Sequence, residues 1–143
     1  MTTPSAPSHP ATQAWLATFL DTHEAVAGTV HVLADGDVLE LRAAVNIPPP
    51  VLALTQRVPK GKGMAGLALA REVPVSTCNL KTDETGDVRP GAKAVDAQAA
   101  VALPVRGENG VTAVVGLAWM DGREISESQL EALGQAAVGV PTT

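Results

Sequence analysis

The chain has a single cysteine, Cys78, so no internal disulfide framework can form. One lone thiol fits a reducing compartment, and we expect a cytoplasmic protein. Tyrosine is absent, phenylalanine occurs once (Phe19) and tryptophan twice (Trp15, Trp119). The core must therefore be built from Val, Leu and Ala, which bury less area per residue than aromatics. Ten Lys and Arg stand against fifteen Asp and Glu, for a net charge of −5, and the cations are scattered. Phosphate affinity needs clustered cations and base stacking needs aromatics, so nucleic acid is excluded as a partner. No apolar run approaches the ~20 residues of a membrane span. The opening residues M-T-T-P-S-A-P-S-H-P carry neither a basic region nor an apolar stretch, so no signal peptide is expected. His9, His23 and His31 lack the spacing of metal ligands.

What is present suits one domain. The 143 residues are enough for a single core, and 45% of them are hydrophobic. Residues 1–10, rich in Pro, Ser and Thr, read as a flexible tail before a domain over 11–140. Trp15, Leu16, Phe19, Leu20 and Val26 form a helical stripe over Ala11–Ala27, with Gly28 as its stop. Thr29–Ala34 and Val38–Val45 alternate as strands around the turn Asp35-Gly36-Asp37. Leu39, Leu41, Ala43 and Val45 are expected on one face, Glu40 and Arg42 on the other. His31 either lines the sheet or faces solvent. After Pro48-Pro49-Pro50, a short turn of helix at Val51–Gln56 leads to the glycines. Gly63–Arg71 and Val73–Cys78 read as a short helix and a strand. Ala99–Val105 and Val111–Trp119 form a second hairpin around Asn109-Gly110. Ser126 and Gln129 form a capping box, and Ile125 with Leu130 a hydrophobic staple, at the start of a last helix. The order implies an α+β fold with an antiparallel sheet and terminal helices on one face.

Gly61, Gly63 and Gly66 match G-x-G-x-x-G, the dinucleotide fingerprint. The context argues against that chemistry. The preceding L-T-Q-R-V-P-K is a weak strand, and Pro74 cuts the following helix short. No G-K-[ST] occurs, so a P-loop is absent. The simpler reading is mechanical: two glycines permit a tight bend, and Gly66 lets the short helix pack closely. A secondary reading offers the amides of 64–67 to an anion.

The run G-K-G-M-A-G-L-A-L-A-R-E-V-P-V resembles the core of GAF domains. So do the hairpin T-V-H-V-L-A-D-G-D-V-L-E-L-R-A-A-V, the run A-A-V-A-L-P-V-R-G-E-N-G-V-T-A-V-V-G-L-A-W and the final I-S-E-S-Q-L-E-A-L. The resemblance spans about Thr29–Val138. It implies a GAF/PAS-like central antiparallel sheet of five to six strands, with N- and C-terminal helices on one face and a ligand pocket on the other. The excursion Asn79–Ala97 is then the roof of that pocket. Its candidate ligand contacts are Cys78, Asn79, Lys81, Asp83, Arg89, Lys93 and Asp96, to which Trp119 is added either as core or as a stacking surface. Any one of these polar residues can equally be a solvated loop residue.

The enzymatic branch of the family, the free methionine-(R)-sulfoxide reductases, is matched poorly. Its G-x-G-V-C-G reads G-K-G-M-A-G here, leaving Ala65 for cysteine. Its upstream cysteine falls near Lys93, and its late-strand acids are Ala100 and Ala118. The cyclic-nucleotide and bilin-binding branches are disfavoured too, the first by a missing Phe and altered spacing, the second by the absence of Tyr. The reading is a sensor that binds an unidentified small molecule, leaning away from catalysis, with no output module of its own. It pairs as a homodimer through the terminal helices, on a surface that includes Trp15 and Phe19. The ligand or cofactor is unknown. The alternatives are a reductase-like enzyme and an interaction module without ligand. A redox role for Cys78 stands against a small buried residue.

Overall fold

Six segments with apolar residues at alternate positions form the strands of one antiparallel sheet in the computed structural model, which describes residues 10–47, 49–77, 99–107, 110–120 and 125–141. In chain order they are β1 (Ala27–Ala34), β2 (Val38–Val45), β3 (Arg57–Pro59), β4 (Val75–Thr77), β5 (Ala99–Gly107) and β6 (Gly110–Trp119). Their spatial order is β3-β2-β1-β6-β5-β4, and every neighbouring pair is antiparallel. Among the described residues the helices are α1 (Pro10–Thr22), α2 (Pro49–Leu54), α3 (Gly63–Arg71) and α4 (Glu127–Ala137). The fold is α+β. The glycine run joins β3 to α3, and β3 and β4 lie at opposite edges of the sheet, so no parallel βαβ unit surrounds the fingerprint.

The sheet has two covered sides. On the first, Val30, Val101, Leu103, Val115, Leu117 and Trp119 meet Leu16, Phe19 and Leu20 of α1 and Leu133 and Ala137 of α4. On the second, Leu39, Val58, Val75, Ala102, Val111 and Val114 pack on Ala68 and Leu69 of α3. The terminal helices thus share one side and α3 takes the other. Trp15, stacked on Phe19 with ring centroids 4.6 Å apart, and Trp119 also belong to the terminal-helix side. The few aromatic rings are spent there, and the α3 side is aliphatic.

Two expectations are corrected. Leu39 and Ala43 do not share a face. A bulge between Val30 and His31 pairs Val30 with Ala43 and His31 with Leu41, leaving Arg42 extra on β2. The extra residue flips the alternation, so Leu39 packs with α3 while Ala43 and Val45 pack with the terminal helices. A second bulge, between Val105 and Arg106, moves Val111 to the α3 side in the same way. Finally, α1 stops at Thr22, with Glu24 turning at φ 60, and Ala27 already pairs with Ala118 in the sheet. Gly28 is a strand residue: a Cβ there would meet the Gly116 carbonyl oxygen and Leu20 Cδ2 at 2.7 Å, so its bareness brings α1 onto the sheet.

One side chain extends the sheet's hydrogen bonding. β3 pairs only with residues 38–40 of β2, so the backbone of Ala44 lies beyond it. Gln13 of α1 supplies the missing partners, its Nε2 donating to the Ala44 carbonyl (2.8 Å) and its Oε1 accepting from the Ala44 amide (3.3 Å). Gln13→Leu removes both and is expected to cost about 1–3 kcal/mol, read as a lowered midpoint in urea with an unchanged slope. At the other end, the Ser126–Gln129 capping box is formed in both directions.

Candidate functional site

The α3 side is covered unevenly. α3 closes Ala102, Val111 and Val114. Along the strands from there, the same face is carried by Thr29 of β1, Ala44 of β2, Ala100 of β5 and Gly116 and Ala118 of β6, all half-buried. Register places them together: Thr29 pairs with Ala44 and Gly116, and Ala100 pairs with Ala118. A Cβ on Gly116 would lie 2.9 Å from Thr29 Oγ1, which fixes Thr29 and Gly116 on one face. The result is a floor of small side chains with no charge on it.

His31 stands at the boundary between the floor and the residues under α3. It pairs with Leu41 and Val114 and is only 3% exposed. Its Nε2 lies 2.8 Å from the Thr55 carbonyl oxygen, just after α2. A carbonyl only accepts, so Nε2 carries the proton and donates. In the neutral ring Nδ1 is then a lone-pair acceptor, and it has no hydrogen-bond partner among the described residues. Burial pushes the pKa down to about 4, against the smaller opposing pull of the Thr55 hydrogen bond. The imidazole is neutral at physiological pH. Nothing in T-V-H-V-L-A distinguished a lining histidine from a solvated one; the signal was only its even spacing from Thr29 and Leu33.

Cys78, Asn79, Lys81, Asp83, Arg89, Lys93 and Asp96 lie outside the described residues. Trp119 does not share the floor's face. It is buried among the terminal helices, and its indole N–H donates to the His23 carbonyl at 3.0 Å. Ala65 is half-buried on α3. Ala100 and Ala118, where the resemblance puts reductase acids, are floor residues. The glycine run is a bend: Gly61 and Gly63 take φ of 86° and 64°, and the Gly61 amide donates to the Gly66 carbonyl at 2.8 Å. Among the described residues no cluster of three metal-ligating side chains occurs, and no helix is long and apolar enough to cross a membrane.

The model of the GAF domain family matches residues 11–140. The chain belongs to the GAF domain family. Solved structures of the same fold are distant in sequence from this GAF domain. A type II free methionine-R-sulfoxide reductase from Thermoplasma acidophilum is 18% identical, with a TM-score of 0.67 over 87% of this chain and 83% of that one. The GAF domain of a Coxiella burnetii phosphoenolpyruvate-protein phosphotransferase is 14% identical, with a TM-score of 0.70 over 91% and 82%. Staphylococcus aureus NreA, mutated in its nitrate-binding site, is 17% identical, with a TM-score of 0.64 over 80% and 87%. No curated protein matches this GAF domain.

Proposed function

We propose that this GAF domain is a cytoplasmic sensor that binds a small molecule on the α3 side of its sheet and reports it without transforming it. The observation that supports this most is the floor of Thr29, Ala44, Ala100, Gly116 and Ala118, left half-buried in a sheet whose opposite side is closed by α1 and α4. Small side chains leave room, and a mostly apolar surface with few polar groups suits a small ligand. Cys78, Asn79, Lys81, Asp83, Arg89, Lys93 and Asp96 are the proposed contacts from the chain that follows β4. Native mass spectrometry of protein isolated from its own cells tests the reading. A stoichiometric adduct lost on denaturation is expected, and alanine at Lys81, Asp83 and Arg89 together should release it. A bare protein contradicts the reading and favours an interaction module. The signal leaves through a homodimer that pairs the outer faces of α1 and α4, since Phe19, Leu133 and Ala137 are already buried within the chain. Sedimentation of a monomer would overturn that part.

A second reading is reductase-like, because proteins described as free methionine-R-sulfoxide reductases are among the similar structures. That chemistry forms a sulfenic acid on one cysteine and captures it with a second thiol as a disulfide. With Cys78 alone, no intramolecular capture is possible. We expect no thioredoxin-coupled turnover of free methionine-(R)-sulfoxide; steady turnover would reverse the choice.

A further inference from the structure

We propose that Nδ1 of His31 is a hydrogen-bond acceptor beside the floor, and that the ligand presents a hydroxyl or amide N–H donor to it. The inference rests on the sensor reading and adds the ligand's chemistry. Four observations carry it. Nδ1 is a buried acceptor with no partner among the described residues, which natural structures seldom leave without a reason. It is the ring nitrogen beside the carbon bearing Cβ, so with Nε2 held at Thr55 the free lone pair stays close to the sheet surface. His31 shares its face with Thr29, its neighbour two positions along the strand, and through Thr29 with Gly116. Among the described residues the floor carries no charged group, and every tryptophan and phenylalanine lies on the opposite side of the sheet.

These facts narrow the class. A neutral imidazole whose distal nitrogen is already used as a donor offers the ligand an acceptor and nothing else. A planar base or flavin finds no ring to stack on. What fits is an alcohol or amide whose apolar body rests on Ala100, Gly116 and Ala118.

A matched pair of probes tests this on the full chain: N-methylacetamide, which has an N–H, and N,N-dimethylacetamide, which lacks it. Both are titrated while the ring nitrogens of His31 and the amides of Thr29 and Gly116 are followed by ¹⁵N NMR. We expect saturable shifts of all of them, and binding of the N–H probe about tenfold tighter, the discrimination an otherwise unpaired buried acceptor confers. In His31→Leu the two probes should bind alike. The wild-type comparison stands alone if that variant does not fold. Equal binding of both probes at the floor overturns the His31 inference and leaves the sensor reading intact. Shifts at neither Thr29 nor Gly116 overturn both. An Nδ1 resonance already showing a hydrogen bond in the probe-free protein overturns the inference alone.

Discussion

Gly66→Ala is expected to destabilise the domain by about 1–3 kcal/mol, although alanine is the better helix former. In an exposed helix the exchange would gain up to ~1 kcal/mol. Here the new Cβ runs into the Pro59 carbonyl oxygen and comes within 3.1 Å of the Gly61 amide nitrogen. Neither atom is free to yield. The Pro59 carbonyl accepts from the Lys62 amide at 3.1 Å, and the Gly61 amide donates to Gly66 itself at 2.8 Å. Relief requires α3 to lift from Ala102, Val111 and Val114 or the bend to open, and such overpacking costs about 1–3 kcal/mol beyond the lost propensity gain. For a chain of this size the melting temperature should fall by roughly 3–12 °C. Gly134→Ala on α4 is the control, since a Cβ there meets nothing within 4 Å. It should raise stability by about 0.5–1 kcal/mol. Opposite signs for one substitution on two helices locate the cause in the close approach at the bend.

The second large effect is a pH dependence. His31 titrates near 6.5 in the unfolded chain and at about 4 when buried. Between those values the unfolded state binds the extra proton, so stability rises with pH across this window. It is fully present above pH 6.5, is lost progressively as pH falls toward 4, and changes little from this source below that. The loss amounts to roughly 3 kcal/mol at about 1.4 kcal/mol per tenfold. Carboxylates add their own slope at the acid end, so the contribution is read by difference. Unfolding free energies in urea from pH 7.5 to 4 should diverge between the wild type and His31→Leu, with the wild type losing more below pH 6.5. Parallel profiles would mean that the ring titrates in the folded chain as it does in the unfolded one, and that its burial is not what its place in β1 implies.

Much of this architecture was readable from local chemistry. The two hairpins follow from alternating apolar residues around tight turns, and the last helix from the Ser126–Gln129 box and its staple. The glycine run was readable as a bend because its flanks did not suit a nucleotide-binding unit. The faces were less legible. A bulge inserts one residue without any marker in composition, and Arg42 looks like an ordinary polar strand position. That single insertion sends Leu39 and Ala43 to opposite cores. The end of α1 was hidden because Ala25-Val26-Ala27 suits a helix as well as a strand; pairing with β6 decides it. His31 was hidden for a related reason. β1 is covered on both sides, so alternation does not say that a polar residue between two valines is buried. Trp119 could be placed in a core from sequence, but not on which side of the sheet. The register with Ala99 assigns it to the terminal helices, away from the floor.

The central claim is that the α3 side of the sheet beside His31 holds a small molecule that donates a hydrogen bond to Nδ1. A crystal structure of the protein isolated from its own cells without denaturation tests it most directly. The account predicts a non-protein molecule lying on Thr29, Gly116 and Ala118, with a donor atom within hydrogen-bonding distance of Nδ1. A floor filled by the chain's own side chains, with Nδ1 paired to one of them, would contradict it.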